Sequence, residues 1–119
     1  MPDVIKDTAL TLKTISDRGI TVTQGWYNKD LNDTHVTLWD LGEQDGLFSD
    51  NVAEGVTLSV QVTIFSQKDE IELAQEIKKI MLSNGFDFEG RNGDSSVPEN
   101  EIYMKAQRFS KLYMEMEEN

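Results

Sequence analysis

The sequence predicts an α+β two-layer sandwich: a mainly antiparallel sheet of about four strands, with two helices packed on one face, in the order α-β-β-β-α-β. Three observations carry this. Residues 56–65, VTLSVQVTIF, alternate apolar and polar without a break. The period then switches to the helical one over SQKDEIELAQEIKKIMLSNG. A second helical pattern opens the chain, and strand-like segments lie between the two and at the end.

Residues 3–17 read as the first helix. Ile5, Ala9, Leu12 and Ile15 recur at helical spacing, and Asp3 suits the positive end of the helix dipole. Gly19 is the expected stop. Residues 20–27 read as a short strand that Gly25 interrupts, and NKDLNDT as a turn. Residues 35–41, HVTLWDL, alternate again, with Val36 and Leu38 on one side and Thr37, Trp39 and Leu41 on the other.

The stretch from Gly42 to Gly55 reads as a long acidic loop. Strand 56–65 places Val56, Leu58, Val60, Val62 and Ile64 on one face. Thr57, Ser59, Gln61 and Thr63 share the other, which is expected to face water or another subunit. Asp69 with Glu72 three residues on resembles a capping box for the second helix. Its apolar stripe is Ile71, Ala74, Ile77 and Met81, and Gly85 ends it. Residues 86–100 read as loop. The last segment is expected to hold a strand of about seven residues, bulged near Arg108 and continued beyond it.

The chain of 119 residues suits one domain, 1–119. It has no cysteine, so disulfides and thiolate ligands are excluded. No apolar run approaches the roughly 20 residues that span a bilayer, and MPDVIKD lacks the features of a signal peptide. A cytoplasmic site of synthesis is expected. The formal charge is −11, from 22 acidic and 11 basic residues. That argues against gripping a phosphate backbone, yet permits a protein that surrounds DNA without holding it.

Site chemistry is sparse. No register of DLGEQDGLFSDN satisfies a calcium loop, because Leu41 or Gly42 falls where a carboxylate is required. His35 is the single histidine and reads as an exposed or edge residue. There is no nucleophile elbow, P-loop or dinucleotide loop. Trp26, Tyr27 and Trp39 suit core or interface. Leu47 and Phe48 are expected at the tip of a polar loop, to be covered by folding back or by a partner. The C-terminal MEMEEN alternates Met and Glu, which suits an edge strand that adds to a neighbour's sheet.

The blocks VTLWDLG, LFSDN, LSVQVTIFS, ELAQEIKKIMLSNGF and EIYMKAQRFS, taken in order, resemble the tail-terminator (tail-completion) proteins of long-tailed bacteriophages. The resemblance runs from the first helix to about Ser110. It implies a structural virion protein, made in the host cytoplasm, with no catalytic, cofactor or metal site. It implies a ring, usually of six subunits, that caps the tail tube and meets the head–tail connector protein, while DNA passes through. Within that setting Leu47, Phe48, Asp50, Trp39, Met114 and Met116 are the expected protein-interface residues. Glu43, Asp45, Thr57, Ser59, Gln61 and Thr63 are the expected lumen or subunit-facing ones. Two other readings stay open: an acidic binding module such as a DNA-mimic inhibitor, and a head-side joining or stopper protein. A small hydrolase fits least.

Overall fold

The structure is a computed structural model that describes residues 3–25, 33–49, 52–91, 95–97 and 102–114, with residues 44–49, 52–54 and 95–97 described by their backbone. Among the described residues, three helices and six strands follow one another as α1 (Val4–Thr11), α2 (Lys13–Ser16), β1 (Thr21–Gln24), β2 (His35–Ser49), β3 (Val52–Ser66), α3 (Ile71–Ser83), β4 (Asp87–Arg91), β5 (Ser95–Val97) and β6 (Ile102–Met114). The α+β class is as expected. The sheet differs in detail: it is mixed, because β1 runs parallel to β2. Its path is β1-β2-β3-β6-β4, and β5 pairs with β6 beside β4.

The opening helix is two pieces rather than one. Asp3 caps α1, its Oδ1 accepting from the Ile5 and Lys6 backbone N–H at 3.1 Å. At Leu12 the chain leaves helical geometry and restarts as α2. Val4, Thr8, Leu12 and Ile15 are all buried. The expected stripe is therefore turned by one position at its start: Val4 and Thr8 are buried, Ile5 is partly so, and Ala9 is exposed. Thr8 sits where sequence patterning counted only apolar residues.

In α3, Leu73, Ala74, Ile77 and Met81 face the sheet, whereas Ile71, expected in the stripe, is exposed. Glu70, not Asp69, is the N-cap, and it makes no side-chain cap bond. Asp69 instead pairs with Lys105 Nζ at 2.9 Å. The C-terminus closes as a Schellman motif: Phe86 N–H donates to Met81 O at 3.1 Å and Gly85 N–H to Leu82 O at 3.4 Å. Gly85 has φ 90°, which a side chain would oppose, and the turn buries Phe86.

The largest departure is the hairpin. The loop expected from Gly42 to Gly55 is strand on both sides, with β2 paired to β3 as far as Ser49↔Val52. Leu47 pairs with Gly55 and Phe48 with Ala53, so neither is at a loop tip. A 15-residue strand spans about 50 Å, and the molecule's longest extent is 52 Å. Between Asp40 and Gly42 the register shifts by one residue, Leu41. Asp40 Oδ1 accepts from Gly42 N–H at 2.7 Å, and Gly42 takes φ 102°, a conformation open to glycine.

Strand β6 runs on beyond Arg108 to Met114, as expected, but the bulge is not in it. It is continuous with β3 from Tyr103 to Met114, without a bulge of its own. The irregularity near Arg108 lies in the facing strand, between Phe88 and Gly90. The segment expected as loop at 86–100 holds both β4 and β5. The core lies between the helices and the sheet face carrying Val36, Leu38, Val60, Val62, Ile64 and Phe109. Arg18 Nη1 clamps both Glu76 oxygens, at 2.8 and 2.7 Å, tying the end of α2 to α3.

Candidate functional site

The face of the sheet away from the helices has two halves. Antiparallel pairing places directly opposed residues on the same side, so one row reads Trp39, Gln61, Arg108 and the next rows can be followed along β3 and β6. At the end nearer α3's start the face is closed. His35, Thr37, Thr63, Phe65, Ile102 and Ala106 are all buried there. His35 stacks on Phe65 with centroids 5.3 Å apart, and its Nδ1 lies 3.0 Å from Asp33 O. The histidine expected at the surface is thus a buried, stacked residue. Thr63, expected on an open face, is 1% exposed.

Toward the far end of the hairpin the same face opens. Trp39 is 49% exposed, Leu112 41% and Met114 51%. Arg108 is exposed, and Thr57, Ser59 and Gln61 are half-buried between them. Gln61 Nε2 donates to Thr63 Oγ1 at 3.1 Å, holding the amide flat along its own strand. Leu112 and Met114 lean across Gly55. A Cβ at Gly55 would stand 3.0 Å from Tyr113 O, 3.1 Å from Leu112 Cδ1 and 3.4 Å from Met114 Sδ. Glycine there lets two apolar side chains lie over the central strand.

The expected interface residues divide accordingly. Trp39 and Met114 share the open face. Leu47 and Phe48 are placed by their backbone alone, far along the hairpin, and Asp45 pairs with Val56. Asp50 and Met116 lie outside the described residues, as do Trp26 and Tyr27. Glu43 is not grouped with Thr57, Ser59 and Gln61. The shift at Leu41 carries it to the helix side, opposite Leu58. There, with Asp3 and Asp40, it lines a groove of about 480 Å³ floored by Val4, Val56 and Leu58. Leu112 and Arg108 are the surface residues that sequence patterning missed. The period-2 alternation of β6 would have placed both beside Met114 once its full length was recognised.

On the helix side, the end of β6 is tied to α1. Asp7 Oδ2 accepts from Lys111 Nζ at 3.0 Å and from the Tyr113 hydroxyl. Burial, then the hydrogen bond to Asp7, then the charges of Asp7 and Asp3 push the Tyr113 phenol well above its ordinary value. Lys111 Nζ also lies over the Phe86 ring, 4.9 Å from its centroid.

Among the described residues no three His, Cys, Asp or Glu side chains converge to hold a metal, and no helix is long and apolar enough to cross a membrane. No family model and no curated protein matches the chain.

Proposed function

We propose that this chain is a structural assembly protein: a phage tail terminator that caps the tail tube as a ring, ends tube polymerisation and forms the tail side of the head–tail junction. The observation that carries the reading is the open distal face, where Trp39, Leu112 and Met114 stand exposed on a three-stranded ribbon. Beyond Leu38 on β2 and Ser110 on β6, neither outer edge pairs with another strand among the described residues. Exposed apolar side chains on a fixed sheet are the ordinary mark of a protein contact. The sequence blocks that resemble tail terminators fall on β2, β3, α3 and β6, the elements that build this ribbon and its support.

In this reading the partners are further copies of the chain, usually six in a ring, the tail tube protein and the head–tail connector. The charge of −11 suits a channel wall along which DNA slides without sticking. The reading assigns the chain no chemistry and no cofactor. Its test is electron microscopy of the purified protein, alone and with tail tubes. Rings, and tubes of fixed length, are expected. A protein that stays monomeric, leaves tube ends bare and does not limit tube length would overturn it.

A further inference from the structure

The first helix is held down by less than the helix beside it. Of the 8 residues of α1, Val4 and Thr8 are buried, whereas α3 buries Leu73, Ala74, Ile77 and Met81. One of α1's two is polar. The Thr8 hydroxyl is buried, with no hydrogen-bond partner among the described residues. Such a group gives up its water on docking and receives no bond in exchange. Water satisfies it again when the helix lifts. The apolar hold of α1 is thus Val4 and the partly buried Ile5, set against a threonine that docking penalises.

The chain just past α1 is anchored. Leu12 and Ile15 are both 0% exposed, and Arg18 grips Glu76 of α3. Leu12 has already left helical geometry, at φ −93° and ψ 19°. A hinge and a fixed base therefore meet at one residue. Over the helix itself the tie to the sheet is polar. Asp7 Oδ2 accepts from Lys111 Nζ at 3.0 Å and from the Tyr113 hydroxyl. The Lys111 and Asp7 side chains are 25% and 30% exposed, so water competes for both. Lys111 has a second contact, over the Phe86 ring, that does not involve α1.

We propose that α1 is a strap: residues 4–11 swing on Leu12 and open as one unit, ahead of global unfolding, with Asp7 as the catch that joins them to the end of β6. Local opening favours elements with few buried apolar contacts. Opening uncovers Val56 and Leu58, which share a groove with Val4 in the closed form. The ribbon then carries apolar surface on both faces, because Trp39, Leu112 and Met114 already stand on the other. The strap belongs to the single chain and needs no partner, so it stands or fails apart from the ring reading.

The test is native-state amide exchange of the full chain, followed by NMR at rising, sub-denaturing urea. The amides of residues 9–12 are expected to exchange at least about tenfold faster than those of 77–81, with a smaller urea dependence, the mark of local opening. Thr8→Val removes the idle hydroxyl and should slow α1 exchange about tenfold. Asp7→Asn should speed it about tenfold, and speed the protected amides among residues 111–113 with it. Tyr113→Phe removes one of the two donors and should act in the same direction, more weakly. Circular dichroism checks the fold of each variant, and Tyr113→Phe carries the test of the catch if Asp7→Asn misfolds. Wild-type α1 amides that match those of α3 in rate and urea dependence would overturn the strap, since the helix would then open only with the whole fold. So would α1 exchange that Thr8→Val leaves unmoved. Faster exchange in α1 with no change at 111–113, in Asp7→Asn or in Tyr113→Phe, would overturn the catch.

Discussion

Tyr113, next to the last described residue of β6, donates its hydroxyl to Asp7 in the first helix, on the same oxygen that holds Lys111 Nζ at 3.0 Å. One carboxylate thus fixes the end of the ribbon to the helical layer. Asp7→Asn is expected to cost about 1–2 kcal/mol, because it loses a charged acceptor that serves two donors at a partly wet site. Urea denaturation of the variant checks this.

The same pairing gives a pH signature. The folded phenol ionises above its ordinary value of 10.0. Its stabilising effect is therefore whole below that value and is lost as pH climbs past it, where the unfolded chain releases its proton first. Ultraviolet titration should show one tyrosine of the three ionising late. Tyr113→Phe should remove that late phase and flatten the alkaline fall in stability. A titration in which all tyrosines ionise together near the ordinary value would contradict the contact.

Gly55→Val is expected to destabilise by about 1–3 kcal/mol, the usual range for overpacking. Its Cβ would meet backbone at Tyr113 O as well as Leu112, and backbone gives less readily than a side chain. The thermal midpoint should fall, and the intensity of Trp39 emission offers a second probe of the same face.

Lys105 and Asp69 form a lopsided pair, 5% and 46% exposed at their side chains. Asp69→Asn leaves a buried ammonium with one fewer partner and should cost about 1–2 kcal/mol, discounted for the acid's exposure. Lys105→Met should cost less than Asp69→Asn, since it removes the buried charge itself. Chemical denaturation of both variants decides the order.

Trp39→Ser with Met114→Ser is expected to reduce ring formation and tube capping while leaving the unfolding midpoint almost unchanged, because both residues are about half exposed. Particle counts by electron microscopy, set beside a melting curve, separate the two effects. A normal ring yield would remove this face from the interface.

The helices and the alternating core of β3 were legible because periodicity is local: Val60, Val62 and Ile64 announce a strand whatever surrounds them. The rest depends on partners distant in sequence. Gly42, Asp45, Gly46 and Gly55 lower strand propensity, so the hairpin's outer part reads as loop until β3 pairs with it. Asp-Phe-Glu-Gly-Arg at 87–91 becomes strand through Phe88 opposite Phe109 and Arg91 opposite Gln107. His35 is polar in sequence, and only Phe65, thirty residues on, makes it a buried stacking partner. At the candidate surface, Trp39 and Met114 were legible as large apolar residues in strands. Glu43 was misplaced because a one-residue shift leaves no trace in composition.

That shift makes Leu41 a punctuation mark in the strand's reading frame. Were Leu41 taken into the ladder as an ordinary partner of Ser59, Gly42 would fall opposite Leu58 and Glu43 opposite Thr57, and Glu43 would exchange the α1 groove for the outer row. Deleting Leu41 would only remove the skip and keep Gly42 opposite Ser59, whereas pairing it in register would turn the outer part of the hairpin over. Sidedness in this protein is thus written by counting residues as much as by choosing them.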